Sequence, residues 1–370
     1  MEWLTILDGT RRRPASTCQP SEDGCAVRGR LLRMLLQVGL GLAALAVFFW
    51  RVDTGEMFAR LGEVDARWAA VALLAFTGSK ALHAWRWWHF LGRSEAPLAP
   101  LTGVFLIANM ANSLLPLRAG DLLRVEVPAR RFGIPRSLLA SSVFVVESIL
   151  DLFAFAILLV VALLMSDLPP VLRPLVGLVG GSAVVCFGAI VILARSRSVV
   201  EEWFGRWSRR LPSRIAGPIE SRLPDFVDGM ASLGTNAQAA RVVGISLLAW
   251  LVEVGVYYLL ARAFGLELSV SQALILMIAA NLIVSLPLTP WSIGPYELAV
   301  TEALVAIGAA RADAGAFALG SHLMLQAWIV LTGIVAMTWI GLKPRELWPG
   351  SPTPTDPTEA ATASGTPPQP

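Results

Sequence analysis

Charge is scarce in this chain. Charged residues make up 15% of the 370 residues, where a soluble domain carries about 25%. Lysine is nearly missing: Lys80 and Lys343 are the two present, so the net charge of +3 is carried by arginine. The arginines flank apolar runs and build no soluble basic face, which excludes nucleic acid as a partner. Thiol and imidazole are also rare, with three cysteines (Cys18, Cys25, Cys186) and three scattered histidines (His83, His89, His322). Cys18 and Cys25 supply neither a disulfide framework nor zinc-site spacing. A His-Glu-x-x-His pair, a serine nucleophile elbow and a phosphate-binding glycine loop are missing, so no enzyme, metal or cofactor is expected. Alternating segments of about ten residues are missing too, which excludes a membrane β-barrel.

What is present is apolar: 55% of the residues, in long charge-poor runs. These define an all-α, polytopic membrane protein. Residues 1–30 are polar and basic and are expected in the cytoplasm, not as a cleaved signal. Full spans are expected at 31–50, 66–91, 138–165, 171–194, 242–264 and 314–340. The loop 51–67 holds three arginines against four acids and suits the outside. Trp85-Arg-Trp-Trp-His89 reads as an aromatic belt with a cation, at the inner interface. The Arg-rich connector 195–241 reads as interfacial helices or a solvated linker, and the tail 349–370 as disordered. Both termini are expected in the cytoplasm, at the inner membrane of a bacterium.

Two stretches interrupt this pattern, and the chain is organised around them. The first is NSLLPLRAGDLLR, residues 112–124, where Pro116 and Gly120 stop a helix and Arg118, Asp121 and Arg124 follow within a few residues. The second is NLIVSLPLTPWSIGPYE, residues 281–297, with Pro287, Pro290 and Gly294. Irregular backbone at membrane depth is tolerated only inside protein or beside a wet cavity. Each break is therefore expected at the tip of a re-entrant helical hairpin, giving six full spans plus two hairpins. Marker residues recur across the chain: Gly92 and Gly265 lie 173 apart, Gly120 and Gly294 lie 174 apart, and Gly133 and Gly308 lie 175 apart. Three spans separate the copies, so the second is inverted. The repeats cover about 66–166 and 242–341, within a membrane domain at 31–341. Inverted repeats with broken helices at matching places point to a transporter with its site between the copies.

The motif PLRAGDLLR at 116–124, the following RRFGIP at 130–135 and the helix bearing Glu147 and Asp151 resemble a known family. It is the transmembrane region of lysylphosphatidylglycerol synthases, also described as flippase-like integral membrane proteins. The resemblance covers about 30–340. The second motif, PWSIGPYE at 290–297, resembles it loosely, since paired glycine is usual where this chain has Trp291 and Ser292. The resemblance implies movement of polar-headed lipids between leaflets. Synthase activity is not implied, because that belongs to a soluble aminoacyltransferase domain.

Charges inside spans are costly and mark candidate sites. Arg118 and Arg124 are the candidates for a lipid phosphate, through paired guanidinium hydrogen bonds, with Asp121 orienting them. Ordinary inside-loop charge is the competing reading. Glu297 either touches substrate or caps the helix that it begins. Glu147 and Asp151, at i and i+4, can share a proton or cation, or each can lock onto an arginine of 118–136. Lys80 and His83 share a face. Under the repeat, Lys80 corresponds to Glu253 and Glu147 to His322, so these four are expected around one polar centre. The expected function is a lipid translocase for an anionic or headgroup-modified phospholipid, or a polyprenyl-linked lipid. The alternative is a membrane scaffold for a separately encoded lipid- or glycan-modifying enzyme, docked on 195–241. Membrane lipids are the expected partners.

Overall fold

The structure is a computed structural model that describes residues 20–92, 96–115, 119–165, 236–285 and 288–342, with single positions at 181, 185, 202 and 206. Among the described residues the regular structure is helical and contains no strand. The expected span 171–194, most of the connector 195–241 and the tail 349–370 lie outside them, as do Pro116, Arg118 and Pro287.

The helices run in order as α1 (Pro20–Arg51), α2 (Thr54–Gly62), α3 (Ala66–Phe90), α4 (Leu98–Leu114), α5 (Ala119–Phe132) and α6 (Arg136–Phe144). A π-helical turn, Val145–Leu150, joins α6 to α7 (Asp151–Met165). After the connector come α8 (Asn236–Ala263), α9 (Val270–Ser285), a short 3₁₀ turn at Pro290–Ser292, α10 (Pro295–Ala306) and α11 (Arg311–Ile340). Three described segments are long and apolar enough to cross a membrane: Met34–Arg51, Ala240–Ala263 and Arg311–Ile340. Helix α1 turns Met34, Leu35, Leu36, Leu42 and Trp50 outward, the surface of a helix bathed in lipid. Helices α4 and α9 are shorter apolar segments, each followed by a break.

The packing is reciprocal. Helix α3 lies along α8, α4 packs on α11, and α9 packs on α7. One apolar core joins α8 to α11 with α3 and α7, around Tyr257, Leu260, Phe317 and Tyr296. A second joins α3, α4, α5 and α11 around Trp87, Phe105, Ile107 and Leu139.

Three local expectations are corrected. The loop 51–67 contains helix α2, because Asp53 accepts from the Glu56 amide (3.0 Å) and Met57 buries against the base of α11. The aromatic run closing α3 is not a simple interfacial belt: Trp85 is exposed, but Arg86 and Trp87 are fully buried. Helix α8 begins at Asn236, six residues before the expected start of the span at 242.

The marker glycines divide by geometry. Gly92, Gly265, Gly133 and Gly308 all take left-handed backbone just beyond helix ends. Gly120 instead sits inside the first turn of α5, where a Cβ would strike the Ala108 carbonyl of α4. Gly294 has φ +92° and presses on the Gly41 carbonyl of α1.

Candidate functional site

Helix α3 carries a polar stripe, Ser79, Lys80, His83 and Arg86, at helical spacing. It faces α8, so the stripe is enclosed between two long helices. Lys80 Nζ lies 3.2 and 3.4 Å from the two carboxylate oxygens of Glu253, and Ser79 Oγ donates to the same carboxylate at 2.6 Å. The ammonium also sits 4.5 Å from the Phe76 ring centroid. Two turns on, Arg86 makes a two-pronged pair with Asp151 of α7 and donates to Ser246 Oγ at 2.7 Å. Trp250 Nε1 donates to Asp151 as well, at 2.9 Å. The guanidinium of Arg86 is wholly buried. Asp151 thus pairs with an arginine of α3.

Two cavities open beside Lys80. One, of about 220 Å³, is lined by Lys80, Glu253, Asn112, Trp291, His322 and Gln326, among others. The other, of about 380 Å³, is lined by Lys80, His83, Asp151, Phe155, Trp250 and Ser285, among others. Both also include Asn109 of α4 and Asn281 of α9, so the two broken helices bring their last turns to one place. Each asparagine donates to the carbonyl four residues back in its own helix, Asn109 to Phe105 (3.1 Å) and Asn281 to Met277 (3.0 Å). His83 stacks on Phe105 and meets Trp250 edge-on, and its Nε2 is buried without a hydrogen-bond partner among the described residues.

The second break is built around Glu297. Its Oε2 accepts from the Gly294 amide at 2.6 Å, closing the first turn of α10, and its Oε1 lies 2.7 Å from His322 Nδ1. A carboxylate there holds the Nδ1 proton, which leaves Nε2 to accept from Gln326 Nε2 at 3.4 Å. The His322 ring stacks on Tyr296, centroids 4.1 Å apart. Capping and contact with the cavity wall are therefore combined in one residue. Trp291 and Ser292, where paired glycine is usual, hold φ of 58° and 56°, the left-handed region that disfavours side chains. His322 faces Glu297. Glu147 falls within the π-helical turn, a local widening that recurs at functional sites.

The first break is different. Asp121 accepts from Asn112 Nδ2 at 3.0 Å. Arg124, expected to meet phosphate, is 3% exposed and lies over Trp87 (4.5 Å) and Phe105 (4.8 Å), behind the ring of Phe105 that lines the larger cavity. The aromatic run of α3 had read as a belt, which hid this cation–π sandwich. At the rim of α5, Glu126 accepts from Arg130 and Arg136; the Arg136 hydrogen bond leads in holding its carboxyl below the ordinary carboxylate range. Arg86 and Gln326 were missed as site residues. Arg86 is marked by lying three residues after His83 and seven, two turns, after Ser79, while Gln326 has no signal beyond lying four residues after His322.

An enclosed polar centre beneath apolar helices is the mark of a helical membrane protein that admits something polar to its interior. The chain belongs to the family described as the lysylphosphatidylglycerol synthase TM region, whose model matches residues 34–333. It is similar to the glycosyltransferase AglD of Haloferax volcanii, 29% identical over 84% of this chain. It is also similar to a UPF0104 membrane protein of Methanothermobacter thermautotrophicus, 27% identical over 78% of this chain. The chain spans 55% of the length of the first relative and 87% of the second. No solved structure matches it.

Proposed function

We propose that the protein is a lipid translocase, moving the polar headgroup of a phospholipid or polyprenyl-linked lipid between leaflets while the chains stay in the bilayer. The observation that carries this reading is the meeting of the two broken helices at Lys80 and Glu253, beside two polar cavities. Bare transfer of a headgroup through hydrocarbon is prohibitive. A groove of fixed dipoles removes most of that barrier. The reciprocal pairings α4 on α11 and α9 on α7 support an inverted repeat, the arrangement that lets one half rock against the other. In this reading the domain is a multi-pass protein of the cytoplasmic membrane with both termini inside.

The test is reconstitution in vesicles with fluorescent lipids of several headgroups, beside Lys80→Met and Glu253→Gln. Transport by the parent protein and its loss in both variants supports the reading. Equal transport in variants and parent removes the cavity from the mechanism.

A second reading has its own support. AglD of Haloferax volcanii is named a glycosyltransferase, and this chain matches little more than half of it. The chain would then be a membrane scaffold for a lipid- or glycan-modifying enzyme made separately. Charge reversal across 195–241 should abolish function in a scaffold and leave a translocase working.

A further inference from the structure

We infer that the headgroup taken by this cavity is an uncharged glycosyl group. The inference rests on the translocase reading for its setting, but it concerns binding and can fail separately. It starts from the lining of the smaller cavity, which is rich in carboxamides: Gln37, Asn109, Asn112, Asn281 and Gln326 all reach its wall. A carboxamide offers both donors and acceptors at neutral charge, the pattern that a ring of hydroxyls demands. Trp291 contributes an indole to the same wall, and an aromatic face accepts the C–H face of a sugar ring.

Among the described residues, the charges that line this cavity are paired. Lys80 is held by Glu253, with both carboxylate oxygens within 3.4 Å, and His322 is held by Glu297 at 2.7 Å. Arg124, the described cation of the first motif, lies over two aromatic rings instead of the cavity. A phosphate or an ammonium entering here loses its hydration and must break an existing ion pair to recover a counter-charge. A neutral polyol exchanges hydrogen bonds with water for hydrogen bonds with amides, with no ion pair broken.

The experiment is calorimetric titration of the purified full chain in a zwitterionic detergent. The probes are dihexanoylglycerol carrying glucose, galactose or mannose, the matching methyl glycosides, dihexanoyl-phosphatidylglycerol and its lysyl ester. At least one glycoside should bind, more tightly than both phospholipids. Asn109→Ala and Gln326→Ala should each weaken it about tenfold. Among the described residues Asn109 bonds to Phe105 of its own helix, so Asn109→Ala is expected to keep the parent's unfolding midpoint. Equal binding of the methyl glycoside identifies free sugar as the source of the group, and tighter binding of the lipid glycoside identifies a headgroup. Both sustain the glycosyl site. Preference for either phospholipid, absence of glycoside binding by folded protein, or binding unchanged in both variants overturns it. If glycosides bind but vesicles show no transport, the translocase reading falls and the glycosyl site stands. If phospholipids bind and are transported, the reverse holds.

Discussion

Helix α3 carries two ion pairs, six residues or about 9 Å apart along its axis, and they are built differently. Arg86 and Asp151 form a closed unit: a two-pronged contact further bonded by Ser246 and Trp250, with no exposure of the arginine. Lys80 and Glu253 form an open one: the lysine side chain keeps 18% of its surface accessible and lines both cavities. A guanidinium matches a carboxylate in a fixed fork, while an ammonium on a flexible stem can swing to another partner. The difference separates a fastening from a working contact. One pair holds α3, α7 and α8 in place, and the other stands intact at the wall of both cavities, where an entering group meets it.

The largest effect should come from breaking the closed pair. Arg86→Met strands Asp151 among apolar groups and should lower stability by about 3–5 kcal/mol. Replacing both partners together, Arg86→Met with Asp151→Leu, should recover most of that loss. Unfolding in detergent followed by circular dichroism reads both. If Arg86→Met left stability unchanged but stopped transport, the pair would belong to the working side of the comparison.

Glu297 stands between the two kinds, since it closes the first turn of α10 and also fixes His322 at the cavity. Glu297→Ala should cost about 1–2 kcal/mol, the range of a lost helix cap. Glu297→Gln keeps an acceptor for the Gly294 amide and should restore most of the stability. It should not restore the orientation of His322, so transport should stay impaired in that variant. Recovery of both together would reduce Glu297 to a cap.

Much of this was legible in the sequence, and the failures share a cause. Helix bounds followed from apolar runs and their breaks: α3, α4, α8, α9 and α11 fall within a few residues of expectation. The facing of Lys80 and Glu253 agrees with the expectation drawn from a near-constant offset between the marker glycines. Partner choice did not follow. Arg86 went unnoticed beside three aromatics that looked interfacial, and Arg124 looked like a free cation until Trp87 and Phe105 closed over it. A sequence records the period of a stripe but not which neighbouring helix covers it. Helix α2 was missed because nine residues with four of their neighbours charged carry too little apolar signal, although Asp53 is a clear cap.

The open pair should behave in the opposite way to the closed one. Lys80→Met leaves Glu253 held by Ser79 and reached by the cavity, so the stability loss should stay near about 1 kcal/mol, the range of a single hydrogen bond. Transport should fall by at least about tenfold, equivalent to about 1.4 kcal/mol on the barrier. The exchanged pair, Lys80→Glu with Glu253→Lys, restores the contact in reverse and should recover part of the transport lost in each single variant. Failure of that rescue, in a folded double variant, would remove the pairing from the mechanism.

The smallest effect should come from the pair furthest from the cavity. Glu126 on α5 is bonded by Arg130 and Arg136 at the half-buried rim, outside the apolar spans. An ion pair in such a place contributes about 0–1 kcal/mol. Its sign with pH follows from its cause. The Arg136 hydrogen bond, with the charges of both arginines, holds the folded carboxyl below its ordinary range. The contribution is therefore fully present above the unfolded value of about 4.3 and is lost as pH falls through the lower, folded value. The stability difference between the parent and Glu126→Gln should be measurable at neutral pH, shrink below about pH 4 and dwindle with salt, because exposed charges are screened. Transport should not follow it. A transport loss in Glu126→Gln as deep as that in Lys80→Met would mean that the rim, and not the open pair of α3, meets the headgroup first.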